Sequence, residues 1–431
     1  MSSQTPTPAH MLAESMLSRR FGNETVNYFS STDMKRWQHV WNSTTNFRTG
    51  SPINRLSFLR GDHAFLSAAL THPSTQYLLL NNLAPLTRSP AEVYYAKYDD
   101  VRNLVPQNTF DQSEEEMIKG FDSRNTHATL IFLGLDESRK DGSLMYKAYS
   151  GVPFFAVDVT PKGSVAQRAA AQDIISAMEG KGLSFFQTRV ISTFTADEAA
   201  IYAQARALMD WNTRNTFCGT CGHRTLSVNA GTKRACPPTD AARTSEGQSE
   251  ERPECNTRTT LSNLSFPRTD PTIIVAVVSA DGKRILLGRG KRFPPKWYST
   301  LAGFIEPAES IEDAVRREVW EEAGVTLSRV VIHSSQPWPY PANLMIGAIA
   351  QCSAAAHEKI SLEHDPELED ARWFEIEEVE EALRIGASDL GSGPLPEYKG
   401  GLRLPPATAI ANQLISSVVN ADYFQGEKSK M

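Results

Sequence analysis

The stretch Gly303–Val325, GFIEPAESIEDAVRREVWEEAGV, constrains the chain more than any other. Ser310 followed by Asp313 is a helix-start pattern in which a hydroxyl caps the first turn. Ile311, Val315 and Val319 recur at four-residue steps and give one apolar face. Gly324 suits the turn after the last helical residue. A helix over about 310–323 is therefore expected. On it Glu318 and Glu322 are i,i+4 neighbours, and Glu321 lies three residues from Glu318. Like charges at that spacing destabilise a helix by roughly 0.2–0.5 kcal/mol per pair, and acids in the last turn face the negative end of the helix dipole. A divalent cation resolves both conflicts, and oxygen-only ligands suit Mg2+ or Mn2+ rather than zinc. The alternative is a solvated acidic face.

The rest of the chain bounds the setting of this helix. Its 431 residues suggest two or three domains. A net charge of −6 argues against a dedicated nucleic-acid binder, which carries a basic surplus. No apolar run reaches the ~18–20 residues that span a membrane, so no membrane partner is expected. Thr272–Ala280 is short and β-branched and reads as a strand. No secretory signal stands at the N-terminus; Met11–Phe21 has two arginines and a weak transit-like pattern, against which Glu14 and Glu24 count.

Residues 1–35 read as a loose polar arm. Between 36 and 207, Thr129–Leu135, Val152–Val159 and Phe185–Ser192 read as strands, and Val165–Met178 and Ala196–Trp211 as helices. No catalytic motif stands there; His63, His72 and His127 are isolated, and a lone histidine is more often structural than a ligand. Four of the five cysteines then cluster: Cys218, Cys221, Cys236 and Cys255. A C-x2-C knuckle with two further cysteines in a chain of this size points to one structural Zn2+ rather than disulfides. The 18 residues between Cys236 and Cys255 are polar and turn-rich and read as a solvated loop inserted in the second knuckle, with His223 as a substitute ligand.

Ten residues after Val325 comes Ser335-Gln336-Pro337-Trp338-Pro339-Tyr340-Pro341-Ala342-Asn343. Its alternating prolines hold a segment extended. Trp338 and Tyr340 then present rigid faces on which a flat aromatic ring can stack, and Gln336 and Asn343 offer amides. A stiff structural loop or a proline-rich partner ligand is the alternative.

Nine positions of Gly303–Val325, from Gly303 through Glu309, Arg317-Glu318 and Glu321-Glu322 to Gly324, match the Nudix box. With Phe266-Pro-Arg-Thr-Asp-Pro271 and the aromatic segment, the chain resembles the NADH pyrophosphatase family of Nudix hydrolases. The resemblance implies an α+β multidomain fold: an N-terminal α+β domain (36–207), a zinc ribbon with an inserted loop (208–265) and a Nudix α/β/α sandwich with mixed sheet (266–420), followed by a tail (421–431). It implies metal-dependent hydrolysis of the pyrophosphate of NADH to NMNH and AMP, with removal of NAD caps from RNA as a rival activity for which the overall charge offers no basic route. A catalytically silent nucleotide-binding scaffold is a second rival. Glu318, Glu322, Glu367 and the carbonyl of Ala302 are the implied metal ligands, and Glu321 is a further ligand or the base. Arg317 is expected to orient a Nudix glutamate, with Glu309 a candidate.

The implied substrate contacts are Phe266, the segment Gln336, Pro337, Trp338, Pro339, Tyr340, Pro341, Ala342 and Asn343, and the backbone of Ala411. The chain departs from the family at Phe266 for tyrosine, Tyr340 for phenylalanine, Asn343 for serine and in the long spacer before Cys255. A homodimer is implied. The closing Ser429-Lys430-Met431 resembles the Ser-Lys-Leu peroxisomal address, so a peroxisomal location with an import receptor as partner is expected, with the cytoplasm as alternative.

Overall fold

The computed structural model describes residues 52–139, 142–186, 194–245, 248–262, 264, 266–307, 309–391 and 393–420. The N-terminal arm, Met11–Phe21, the tail with Ser429-Lys430-Met431 and most of the strand expected at Phe185–Ser192 lie outside them. The described chain forms two units, one running to Thr269 and including Pro337–Asn343, the other comprising Asp270–Gln336 and the chain from Leu344. Among the described residues, no helix is long and apolar enough to cross a membrane.

In the first unit, β1 (Gln76–Asn81), β2 (Ala84–Ser89), β3 (Glu92–Val93), β4 (Tyr95–Ala96), β5 (Leu130–Asp136), β6 (Leu144–Tyr146), β7 (Tyr149–Asp158) and β8 (Ser184–Phe185) make one sheet with the path β3-β2-β1-β7-β5. β1 runs parallel to β7, and β5 antiparallel to it, so the sheet is mixed. The side-chain period of two splits β1 between two cores. Tyr77 and Leu79 pack with α1 (His63–Thr71) and α2 (Val165–Gly180), and Leu78 and Leu80 pack with α3 (Ala196–Arg214). α2 and α3 each begin at a capping box, Ser164 with Gln167 and Thr195 with Glu198. His63 bonds the Phe110 carbonyl and His72 bonds Ser74, which is the structural use expected of lone histidines.

The ribbon follows with β9 (Leu226–Val228) and β10 (Lys233–Ala235). The long spacer is a hairpin rather than the loop expected from its polar composition: β11 (Thr239–Ser245) pairs antiparallel with β12 (Gln248–Glu251). An ion pair between Asp240 and Arg252, 2.6 Å apart with side chains 3% and 2% exposed, ties its base. Asp240 also accepts the Ser123 N–H, the Ala241 N–H donates to the Phe121 carbonyl, and the Arg252 guanidinium sits 5.0 Å from the Phe121 ring centroid. Burial alone would raise the Asp240 carboxyl, but hydrogen bonds from Ser123, Ala242 and Arg252 hold it down at about 2. Paired strands carry the chain out and back to the same point, so the insertion delivers Cys255 to the knuckle.

In the second unit, β13 (Asp270–Val278), β14 (Arg284–Gly290), β15 (Leu301–Phe304), β16 (Leu327–Trp338), β17 (Asn343–Cys352) and β18 (Leu368–Glu375) form a six-stranded sheet with the path β16-β17-β13-β14-β18 and β15 on β13. Asp281-Gly282 makes the expected β13–β14 turn, with Gly282 at φ 76. Ile273, Val275 and Val277 face α4 (Ile311–Ala323). Ile274, Ala276 and Val278 face α5 (Ile376–Ile385) and α6 (Ile410–Val419). Both faces of β13 are covered by helices, which is the α/β/α sandwich.

Candidate active site

α4 is set as its sequence dictates. The Ser310 hydroxyl accepts the Asp313 N–H at 3.2 Å, and Gly324 ends the helix at φ 72. Its apolar stripe seats Ala314, Val315 and Val319 in the core, which turns Glu318 and Glu322 toward β15. Glu318 lies directly over Gly303: a Cβ there would stand 2.0 Å from the Glu318 carboxyl carbon. A side chain at the first glycine of the motif would therefore have to displace the Glu318 carboxylate from where it lies.

Glu322 is 5% exposed, and its Oε2 has no hydrogen-bond partner. Burial, then the charges of Glu318, Glu367 and Asp365, push its carboxyl up to about 8, against a backbone hydrogen bond from Ala302. Burial likewise raises Glu318, opposed by Arg317 and reinforced by Glu321 and Glu367. A buried acid among acids, with one carboxylate oxygen left without a partner, is a donor set that fits a hard divalent cation. Ala302 pairs with Ile274 on β13, and its backbone hydrogen-bonds the Glu322 carboxylate.

Arg317 does more than the sequence indicated. It grips Glu309 through two bonds of 2.7 and 2.8 Å, and it also reaches Glu318 at 2.8 Å and Glu321 at 2.9 Å. A fifth bond goes to the Phe304 carbonyl. One guanidinium therefore locks the loop before α4 and two of its glutamates, as its fixed fork allows.

Glu367 arrives on the segment before β18. That segment is docked on α4 by Ser361 N–H to the Ala323 carbonyl (2.9 Å), by Asp365 N–H to the Glu321 carbonyl (3.1 Å) and by His364 stacked on Trp320 with ring centroids 4.2 Å apart. Asp365, whose charge helps to raise Glu322, carries no signal of its own in the sequence. It stands in the same acidic run as Glu367, and nothing in that run ranks one acid above another. Glu369 is paired with Arg289 at 2.9 Å.

In the ribbon, Cys218, Cys221, Cys236 and Cys255 bring their sulfurs within 4.8 Å of one another, with Cys218–Cys255 and Cys221–Cys236 both at 3.5 Å. Among the described residues, they are the one set of candidate ligands gathered so closely. A tetrahedral Zn–S bond of about 2.3 Å requires sulfurs roughly 3.8 Å apart, so the thiols fit zinc. His223 bonds the Cys221 carbonyl through Nδ1 instead of substituting as a ligand. Burial would raise the Cys218 thiol, but hydrogen bonds from Thr257 and the Cys221 and Thr220 backbones bring it down to about 6, whereas burial and the neighbouring thiols push Cys236 up to about 12 in the metal-free cluster.

The residues expected at substrate divide. Phe266 is 42% and Trp338 37% exposed, open enough to meet a ligand. The aromatic segment is extended only to Trp338, where β16 ends; Pro339–Ala342 turn, and Asn343 opens β17. Two strands to be joined require a turn there, which the proline pattern alone did not reveal. Trp338 and Tyr340 pack edge to face at 5.6 Å. Arg206 of α3 holds this turn: its Nε donates to the Pro339 carbonyl at 3.1 Å, and its guanidinium lies 4.9 Å from the Tyr340 centroid. Pro337 and Pro341 are half-buried beside them. Gln336, expected to contact substrate, is instead fully buried; Nε2 donates to the Thr408 carbonyl and Oε1 accepts the Ile410 N–H, both at 2.9 Å. It ties β16 to the start of α6. Ala411 is in that helix, 4% exposed.

Comparison with known proteins follows the same divisions. The NUDIX domain model matches residues 268–391, the NADH pyrophosphatase-like rudimentary NUDIX domain 74–211, and the NADH pyrophosphatase zinc ribbon domain 214–242. The ribbon match stops short of Cys255, beyond the inserted hairpin. The chain is 32% identical over 384 residues to the NAD-capped RNA hydrolase of Schizosaccharomyces pombe, covering 88% of this chain and 94% of that one. It is 36% identical over 376 residues to the human NAD-capped RNA hydrolase NUDT12, covering 86% and 72%. With the human mitochondrial NAD(P)H pyrophosphatase NUDT13 it shares 29% identity over 350 residues, covering 80% and 84%. Likeness of this extent, running through both units and the ribbon, makes the chain a member of the NADH pyrophosphatase family of Nudix hydrolases.

Proposed function

We propose that the protein hydrolyses the pyrophosphate bond of NADH, and of NAD+ and related dinucleotides, to release AMP and the nicotinamide mononucleotide. The observation that carries this reading is the buried, unpaired Glu322 amid Glu318, Glu367 and Asp365 on the Nudix helix. Glu318, Glu322, Glu367 and the Ala302 carbonyl are the residues to hold Mg2+ or Mn2+. Such an ion, when bound, supplies charge to offset the diphosphate oxygens and acidifies the attacking water. The chain's own part is positional: Arg317 fixes Glu318 and Glu321, and Glu321, at 36% side-chain exposure, is where a proton can leave to solvent. The names of the relatives favour a second reading for the same chemistry, cleavage of the NAD cap of RNA, since its scissile bond is also a dinucleotide pyrophosphate.

Trp338 and Tyr340 would set the preference for a flat base, because a diphosphate site alone accepts many nucleotides and only differential contacts discriminate. Stacking on such a ring is worth about 1–3 kcal/mol. Trp338→Ala should therefore lower kcat/KM for NADH by roughly 5- to 140-fold and spare ADP-ribose by comparison. Equal loss on both substrates removes this role from Trp338.

A further inference from the structure

We infer that the loop Lys291–Lys296, which follows β14 on the way to β15, is a phosphodiester track that engages the RNA body of a capped substrate; this rests on the second reading above. The chain is acidic overall, but the sign reverses here. Between Asp281 and Glu306 there are six Lys and Arg residues and no acid. Arg284 and Arg289 are spent on Glu358 and Glu369. Lys291, Arg292 and Lys296 are exposed, and among the described residues none of the three pairs with a carboxylate.

The loop is anchored at the metal-binding carboxylates. Lys291 Nζ donates to the Pro366 carbonyl at 2.6 Å, next to Glu367, and Gly290 pairs with Leu368. At the other end the Gly288–Ser299 bridge leads into β15, which carries Ala302 and Gly303. Its base is stiff. Trp297 is 5% exposed and donates from Nε1 to the Ser388 carbonyl at 3.0 Å, Phe293 packs edge-on against it at 4.7 Å, and the Lys296 carbonyl accepts the Arg403 N–H at 2.7 Å. A rigid loop presenting unpaired cations beside a diphosphate-cleaving site suits a polyanion that continues past the scissile bond. A free dinucleotide ends at its second ribose and base and has no further phosphates to offer. Cations of this kind bind the RNA backbone without reading sequence, and their contribution falls with salt.

The test uses the full-length protein with Arg292→Glu and Lys296→Glu together, leaving Lys291 and its Pro366 contact intact. NADH and a NAD-capped RNA of about 30 nucleotides are compared at several salt concentrations, and binding of an uncapped single-stranded RNA is followed by fluorescence anisotropy. The track predicts a fall in kcat/KM for capped RNA of about 10- to 100-fold, weaker uncapped RNA binding, and a log–log salt slope shallower by roughly 1.4, at ~0.7 per single-strand phosphate. NADH turnover should stay within about twofold, which also shows that the variant is folded. Unchanged capped-RNA kinetics overturns the track, as does equal loss on NADH and RNA, which would place the cations on the dinucleotide itself. A wild-type protein that cleaves NADH but not capped RNA also overturns it while leaving the dinucleotide reading intact; failure on both substrates would overturn that reading too.

Discussion

Glu322→Gln is expected to lower kcat on the order of a thousandfold. The loss of several kcal/mol of transition-state stabilisation at a divalent-ion site, at tenfold per about 1.4 kcal/mol, gives that figure. The same substitution should raise the thermal midpoint of the metal-free protein by a few degrees. Burial and the neighbouring acids push Glu322 from its ordinary 4.5 up to about 8. A carboxyl whose folded-state value is raised stabilises the folded state fully only below its unfolded value, and this contribution is lost as pH rises toward the folded value. Metal-free stability should therefore decline between about pH 4.5 and 8, and the glutamine variant, which has no such proton to lose, should decline less. Thermal melts in chelator at pH 5 and pH 8 read this directly. Near-normal turnover, or melting curves that track the wild type at both pH values, would remove Glu322 from the centre of the site.

Removing zinc should have the second large effect. The ribbon's own buried cluster consists of Cys218, Cys236, Cys255 and Leu264, with Cys221 partly buried against it. So few apolar side chains cannot offset the ordering of the chain between Cys218 and Cys255. Structural zinc contributes on the order of 10–16 kcal/mol of apparent binding free energy at pH 7. Purified protein should contain about one zinc per chain, and Cys255→Ser should lose most of it and become open to proteolysis between β9 and Cys255. Because the inserted hairpin is tied to Phe121 and Ser123 through Asp240 and Arg252, Arg252→Ala should also weaken zinc retention. Folded, active protein without zinc would show that the thiols gather without needing the metal.

The Nudix helix and its neighbours were legible because each rests on local chemistry. Ser310 and Gly324 mark the ends of α4, the four-residue steps of Ile311, Val315 and Val319 mark its buried face, and the unbroken apolar run of β13 marks a strand covered on both sides. The four cysteines were legible for the same reason. What stayed hidden depends on residues far apart in sequence. The polar spacer before Cys255 gives no apolar alternation, since its strands are fixed by Asp240, Arg252 and the distant Phe121 and Ser123. Gln336 reads as a polar group offered to a ligand, and only the arrival of α6, more than seventy residues later, takes up its amide. The resemblance implied that Arg317 orients one glutamate, with Glu309 a candidate, whereas its hold on Glu309, Glu318 and Glu321 together requires the loop from Phe304 to fold back over the helix. The part of Arg206 in holding Pro339 and Tyr340 has no local sequence signature at all.

This carboxylate set is expected to cleave the pyrophosphate of a reduced nicotinamide dinucleotide. The most direct measurement is incubation of the full-length protein with NADH and either Mg2+ or Mn2+, with separation of the products. Equal amounts of AMP and NMNH are expected, formed only with the divalent ion and at a rate cut on the order of a thousandfold by Glu322→Gln. Cleavage at the nicotinamide–ribose bond, turnover that survives chelation, or ADP-ribose hydrolysed much faster than NADH would contradict it.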